Sequence, residues 1–274
     1  MTRPLGALPD FERPPVVEVV FAVAVEPLPV SLIDLSAFAL EAFGTEFPLH
    51  HEQPPMRMAR ESFDERVTEL SPALALLSGQ APMRLWLQSA DQDRLIQLQR
   101  DYLACNWQKS GGERPYPRYS TIESFLLETW DKMAAFAETK HATLAPVQCE
   151  LWYVNRIEPG DLWIRPGQLD QTIALLNSPQ DFLPEPEHGQ LAMRFRIRED
   201  ERDVGRLYVN ATSPIGPADM KPVIQLTMTA RGAPLRPGRQ GMVAFFQLAH
   251  EWIVRGFAAV TTEAAQASLW GRTQ

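Results

Sequence analysis

The chain has 274 residues, 45% of them hydrophobic, and a formal net charge of −8 at pH 7. This composition is sufficient for a sizeable buried core and excludes an intrinsically disordered chain. The acidic balance disfavours general binding to nucleic acid or to a membrane surface, although it allows a local basic patch. Two cysteines, Cys105 and Cys149, are too few for a disulfide framework or a thiolate metal site, so we expect both to be reduced and structural.

The apolar runs of the sequence bear on its location. Residues 1–15, MTRPLGALPDFERPP, lack the apolar run of a secretory signal. No apolar run approaches the roughly 18 residues that span a bilayer. We therefore expect a cytoplasmic protein without a membrane segment.

The first elements are a strand and a helix. Residues 16–25 are apolar on both faces, which is typical of a strand that is buried on both sides. Residues 30–44 place apolar side chains at helical spacing, with Ser31 as N-cap and Gly44 at the end. Residues 45–82 have no clear period, and we expect an irregular or partly extended insertion there.

The next elements are a hairpin and a helix. Residues 83–107 predict a β-hairpin that turns at Ala90–Asp93. Residues 120–140 predict a helix that opens with a capping box of Ser120 and Glu123.

The second half of the chain predicts a similar order of elements. They are a strand (147–158), a short helix (169–177), a proline-rich loop (178–189), a hairpin (190–212), a further strand (222–232) and a long helix (239–257). Long strands joined as hairpins predict an α+β fold, with a mainly antiparallel sheet and helices packed on one face. The order strand–helix–hairpin–helix occurs in residues 16–140 and again in residues 147–258, so a duplication is a hypothesis, although the halves share no convincing identity.

The strand at 147–158 separates its apolar and polar side chains. Because side chains alternate along a strand, Tyr153 and Asn155 share the apolar face, and Arg156 points away from the core. A buried asparagine needs hydrogen-bond partners, so we expect Asn155 to bind neighbouring backbone or a helix end.

The other strands of this half also place arginines opposite their apolar residues. In the hairpin, Met193, Phe195 and Ile197 are expected to face the core. If these strands share one sheet, its polar face carries Trp152 and Tyr208 together with arginines 156, 194, 196, 198, 206 and 231. We call these eight residues the arginine face. Arginine and aromatic side chains are favoured at binding surfaces, and the predicted partner-binding residues are Arg156, Trp152, Arg194, Arg196, Arg206 and Tyr208. The alternative is a solvated face whose arginines pair with local carboxylates, each pair worth about 0–1 kcal/mol.

Catalytic and metal-binding motifs are absent from the sequence. His250-Glu251 begins a zinc-protease dipeptide, but Val254 stands where the second histidine would be. The sequence contains no phosphate-binding loop and no nucleophile elbow. It therefore predicts no cofactor and no metal site, and it does not allow a catalytic residue to be assigned. Tyr116 and Tyr119 precede a helix, and we expect them to pack on the sheet.

Several segments together suggest a family. In chain order they are PPVVEVVFAVAVEPL, YPRY, WYVNRIEP and LAHEWIVRGFAAVTTEAAQASLWGR. They resemble a sporadically distributed, uncharacterised bacterial protein family with an N-terminal PP-x-VEVVF strand motif and a central Y-x-N-R-I strand motif. The central motif is matched by Tyr153, Asn155, Arg156 and Ile157. The family more often has an acidic strand where this chain has LYVNATS.

The resemblance covers nearly the whole chain and implies one continuous unit, residues 1–274. It brings no established activity, cofactor or catalytic residue. The scattered distribution of the family resembles that of mobile-locus cargo, such as defence or toxin–immunity proteins.

These observations leave three functions open. The first is a non-catalytic protein that binds an acidic protein, a peptide or a nucleic-acid segment through the arginine face, with nucleic acid the less favoured partner because of the net charge. The second is an enzyme or small-ligand receptor with a pocket between sheet and helices near Arg156, Tyr116 and Tyr119. The third is a subunit that forms a homodimer through the arginine face.

Overall fold

The computed structural model describes residues 6–63, 83–111, 115–176, 187–213 and 222–273. Within these ranges nine strands form one antiparallel sheet, and four α-helices pack on it, so the predicted α+β fold is confirmed. The strands are β1 (Val16–Val25), β2 (Leu49–Gln53), β3 (Arg84–Gln88), β4 (Arg94–Gln99), β5 (Tyr102–Gln108), β6 (Pro146–Ile157), β7 (Gln190–Glu199), β8 (Arg202–Thr212) and β9 (Ile224–Gly232). The helices are α1 (Leu32–Phe43), α2 (Tyr119–Thr139), α3 (Gly238–Val260) and α4 (Glu263–Ser268), and short 3-10 helices occur at Pro166–Gln171 and Ala174–Leu176.

The strand order is similar on the two sides of the central β1–β6 pair. The sheet runs β2-β3-β4-β5-β1-β6-β9-β8-β7. Outward from β1 come β5, β4, β3 and the additional strand β2, and outward from β6 come β9, β8 and β7. The duplication of residues 16–140 and 147–258 stays a hypothesis, because strand order alone does not establish a common origin.

Strand β1 lies in the middle of the sheet and is covered on both faces. Val19, Phe21 and Val23 belong to the main core, which lies between the sheet and the helices. Val20 and Ala22 point to the second face, where a smaller apolar cluster forms. This placement explains why the residues of β1 are apolar on both faces.

Helices α2 and α3 both contribute large side chains to the main core. Phe246 of α3 contacts Phe21 of β1 at a ring-centroid distance of 5.0 Å, and Leu126 of α2 is fully buried. Burying one such side chain stabilises the fold by about 1.5–3 kcal/mol. Gly232 at the end of β9 allows α3 to come close, because a Cβ there would overlap the Phe245 ring.

Helix α1 begins and ends as its sequence predicts, but the start of α2 differs. Ser31 accepts a hydrogen bond from the Asp34 backbone, and Gly44 is the C-cap of α1. The predicted capping box of α2 is wrong, because the helix already begins at Tyr119 and Arg118 occupies the N-cap position without a side-chain cap. Glu123 instead accepts a hydrogen bond from the Tyr119 hydroxyl.

The predicted hairpin at 83–107 is a three-stranded meander. The turn between β3 and β4 lies at the predicted place, but the chain turns again at Arg100–Asp101, between β4 and β5. This second turn contains neither glycine nor proline, so it carries no strong turn signal.

Strand β7 is less buried than its sequence predicts. Ile197 is buried as predicted, but Met193 is 37% exposed and Phe195 is 36% exposed. Strand β7 lies at one edge of the sheet, and α3 packs mainly against β6, β9 and β8. The two side chains of β7 are therefore only partly covered.

The insertion at 45–82 is partly extended as far as the structure describes it. Strand β2 pairs with β3, and residues 54–63 follow it without regular structure. We call residues 54–63 the strap. Residues 64–82, and residues 178–186 of the predicted proline-rich loop, lie outside the described residues. In the described part of the chain, no helix has both the length and the apolarity needed to cross a membrane.

Candidate functional site

A cavity of about 500 Å³ lies on the helix side of the sheet, between β6, the start of α2 and the middle of α3. We call it the tyrosine pocket. Most of its walls are apolar or aromatic. Its polar lining comprises Asp10, Tyr116, Arg118, Tyr119, Ser120, Tyr153, Asn155 and His250.

Three polar side chains in the wall form a hydrogen-bonded chain. The hydroxyl oxygens of Tyr116 and Tyr153 are 2.8 Å apart. The Tyr153 hydroxyl is in turn 3.2 Å from Nδ1 of His250. Tyr119 stacks on the His250 ring at a centroid distance of 4.0 Å and so fixes the orientation of that ring. The three groups come from the loop before α2, from β6 and from α3.

Burial keeps these groups uncharged at neutral pH. It lowers the pKa of His250 to about 4, against a small opposing effect of Glu251. It raises the pKa of Tyr116 to about 12, although the hydrogen bond with Tyr153 and the charge of Arg118 act in the other direction. It also raises the pKa of Tyr153 well above its ordinary value. Neutral tyrosine and histidine both donate and accept hydrogen bonds. The Tyr116–Tyr153–His250 chain can therefore bind either a donor group or an acceptor group of a ligand.

The mouth of the pocket holds an ion pair. The Arg118 guanidinium lies 3.0 Å from the Asp10 carboxylate, with both side chains about half exposed, and it also donates to the Phe11 carbonyl. Arg118 has φ 73° and ψ 157°, a conformation that side-chain-bearing residues rarely adopt. Residues 10–13 are held in place by backbone bonds to residues 270–273.

Asn155 also lines the pocket. It is 2% exposed, and its side-chain amide donates to the Leu226 carbonyl of β9 at 3.1 Å. The expectation of a buried asparagine that binds neighbouring backbone is therefore confirmed.

The outer part of the arginine face is exposed and paired with local carboxylates. Arg156 lies 2.7 Å from Glu158. Arg196 and Arg198 both bind Asp203, at 2.5 and 2.9 Å. Arg194 is exposed on the same strand.

The inner part of the arginine face surrounds a carboxylate of the chain itself. Glu61 of the strap accepts hydrogen bonds from the Arg206 guanidinium and the Tyr208 hydroxyl, and its side chain is only 4% exposed. Arg231 lies 3.6 Å from the same carboxylate and also binds Glu150. Burial raises the pKa of Glu150, while Arg231 opposes this shift.

Trp152 belongs to the same cluster, because its indole N–H donates to Glu150 at 2.7 Å. Three of the six predicted partner-binding residues, Trp152, Arg206 and Tyr208, therefore bind carboxylates of the chain or lie beside them. The other three, Arg156, Arg194 and Arg196, are exposed.

The strap crosses the second face of the sheet. The Met56 backbone exchanges two hydrogen bonds with the Gln99 side chain, at 2.6 and 3.0 Å. Met56 and Met58 pack on the small apolar cluster of this face. The Glu61 backbone N–H donates to the Gln148 side chain at 3.2 Å. The sequence did not indicate that this segment would cover the arginine face.

The tyrosine pocket corresponds in part to the predicted pocket. Tyr116 and Tyr119 line it, but Arg156 does not, since strand alternation places its side chain on the other face. Sequence reasoning missed Tyr153 and His250 as site residues. The sequence does show a tyrosine on the apolar face of β6 and a histidine beside the apolar stripe of α3. It does not show that they are close together, because the two residues are 97 positions apart.

Metal binding has no support in the described ranges, where no three His, Cys, Asp or Glu side chains cluster in a way that could hold an ion. Cys105 and Cys149 are buried and free, as expected. Comparisons of the chain with protein-family models, curated proteins and solved structures found no match.

Proposed function

We propose that the protein binds a small, mainly apolar ligand in the tyrosine pocket, as a receptor or as an enzyme. The observation that carries this proposal is the Tyr116–Tyr153–His250 chain, which lies in the wall of the cavity. Ligand sites are typically concave and apolar, with volumes of about 300–1,000 Å³ and a few convergent polar groups. A buried histidine with a strongly lowered pKa in such a cavity is also typical of functional sites.

The test uses a neutral fluorescent probe, 6-propionyl-2-(dimethylamino)naphthalene, whose emission shifts to shorter wavelength in an apolar site. Val254 of α3 lines the pocket, whereas Val243 lies on the same helix outside it and is also half-buried. We expect saturable binding to the wild-type protein, loss of binding in Val254→Phe and retained binding in the matched control Val243→Phe. Absence of saturable binding to the wild type, or equal binding by both variants, would contradict the proposal.

We propose as a second candidate that the arginine face engages an acidic protein or peptide. The observation that favours it is the Glu61 carboxylate, which Arg206 and Tyr208 hold in the manner expected for an acidic partner. A partner would either displace the strap or bind the exposed residues Arg156, Arg194 and Arg196. A nucleic-acid segment is disfavoured by the net charge of −8.

This second candidate is tested with a labelled peptide that has the sequence of the strap, PPMRMARESF, and with its Glu→Gln counterpart. In Glu61→Ala and in the milder Glu61→Gln the carboxylate site is open, so the peptide that carries the glutamate should bind at least about tenfold more tightly than to wild type. The Glu→Gln peptide should not show this gain. Equal binding of the glutamate peptide to folded variants and to wild type would refute the candidate.

Further expectations stay predictions. They are the resemblance to the bacterial family, a role as mobile-locus or defence cargo, a cytoplasmic location and a homodimer through the arginine face.

A further inference from the structure

The charges around the tyrosine pocket bear on the charge of its ligand, and this inference rests on the proposed ligand pocket. Among the lining residues Arg118 and Asp10 carry opposite formal charges, and they bind each other at the mouth. The other polar lining groups are tyrosine, serine, asparagine and neutral histidine. Among the described residues that line the pocket, a charged ligand group buried there would therefore meet no free counter-charge, and burial of an unpaired charge is strongly unfavourable.

Two arrangements of the hydrogens keep the Tyr153 hydrogen inside the three-residue chain. In the first, His250 carries its hydrogen on Nε2, Tyr153 donates to Nδ1 of His250, and Tyr116 donates to Tyr153. In the second, Nδ1 of His250 donates to Tyr153, Tyr153 donates to Tyr116, and the Tyr116 hydrogen is free. Both arrangements satisfy the two observed contacts and contain the same number of protons.

The two arrangements offer different groups to a ligand at Tyr116. In the first, the Tyr116 oxygen is free to accept a hydrogen bond from a ligand hydroxyl. In the second, the Tyr116 hydroxyl is free to donate to a ligand carbonyl. The Tyr153 hydrogen is used inside the chain in both, so Tyr116 is the member of the chain that changes its role towards the ligand.

We infer that the pocket takes an uncharged, mainly apolar molecule with one carbonyl or hydroxyl oxygen at Tyr116, and that it accepts a ketone and the corresponding alcohol about equally. The Tyr116–Tyr153–His250 chain adapts to the two ligands by a change in which nitrogen of His250 carries the imidazole hydrogen. The pocket then selects ligands that are uncharged and largely apolar. Whether the ligand carries its oxygen as a carbonyl or as a hydroxyl has little effect on affinity.

The experiment compares three probes that share one ring system. They are the naphthyl ketone named above, its secondary alcohol and 6-dimethylamino-2-naphthoate, each titrated calorimetrically into the full chain. We expect the ketone and alcohol to bind within about threefold of each other and the carboxylate to bind at least about tenfold more weakly. Tyr116→Phe should weaken both neutral probes by about fivefold, the effect of one net hydrogen bond. Tyr102→Phe, in the small apolar cluster on the other face of the sheet, is the matched control and should bind like wild type.

The outcomes separate this inference from the proposed function. If the carboxylate binds as tightly as the ketone, or if Tyr116→Phe leaves both neutral probes unaffected, the inference is wrong while the pocket remains a ligand site. If Val254→Phe fails to block probes that do bind, they bind elsewhere, and both the inference and the proposed function are wrong.

Discussion

His250 shows how burial sets the chemistry of a single side chain. It lies on α3, stacks on Tyr119, contacts Tyr153 and has Glu251 as its nearest charged neighbour in sequence. Its pKa falls from 6.5 to about 4 because the charged form loses more hydration than its neighbours restore. The imidazole of the folded protein is therefore neutral at pH values above about 4.

This shift predicts a pH dependence of stability. Between pH 6.5 and 4 the unfolded chain binds a proton at His250 that the folded chain does not, so the free energy of unfolding falls as the pH is lowered through this window. The loss attributable to His250 is about 3 kcal/mol in total. Urea denaturation from pH 7 to 4 should show a shallower decline in His250→Gln than in wild type. His51→Gln, an exposed histidine on β2, is the control and should follow wild type; equal slopes in all three proteins would contradict the assignment.

Asn155 and Arg156 are neighbours in sequence but lie on opposite faces of β6. Asn155→Leu leaves the Leu226 carbonyl without its partner and should lower the free energy of unfolding by about 1–3 kcal/mol. Arg156→Ala removes only an exposed ion pair and should change it by less than about 0.5 kcal/mol. Thermal denaturation of the two variants is the measurement, and equal melting temperatures would count against the buried role of Asn155.

At the scale of elements, local patterns predicted the helices and strands better than the turns and the strap. The caps of α1 and the alternation of β6 depend on residues close in sequence, so both could be predicted. The second turn of the meander has no glycine, and the start of α2 depends on the unusual backbone of Arg118. The strap was not predictable, because its partners Gln99, Gln148 and Arg206 lie 43, 87 and 145 residues from the residues that bind them.

The strap gives a prediction about stability. Glu61 is buried between Arg206 and Arg231, so Glu61→Ala leaves two guanidinium groups without this carboxylate and should destabilise the fold by about 3–5 kcal/mol. Glu158→Ala removes an exposed partner of Arg156 and should cost no more than about 1 kcal/mol. Chemical denaturation compares the two. A loss in Glu61→Ala no larger than that in Glu158→Ala would mean that the strap does not hold the inner arginines.

At the scale of the whole molecule, the sheet brings the pocket together from both halves of the chain. Tyr116 belongs to the first half, and Tyr153 and His250 belong to the second. The central β1–β6 pair joins the two halves, and α2 and α3 contact each other on the helix side of the sheet through Tyr119 and His250. The α+β class and the one-sided packing of the helices follow from patterns in the sequence. The pocket depends on three long-range contacts, Tyr116–Tyr153, Tyr153–His250 and Tyr119–His250. No single segment of the sequence determines them.

The most direct test of the pocket as a ligand site is a titration followed by ¹⁵N NMR of the histidine rings at pH 7. The naphthyl ketone probe is added to the full chain, and the ring nitrogens of His250 and His51 are compared. We predict that the His250 signals begin as those of a neutral imidazole and move in a saturable way, with the hydrogen passing towards Nδ1 as the ketone binds. The His51 signals should stay unchanged. A His250 signal that is unaffected by saturating probe, or one that moves no more than that of His51, would contradict the account.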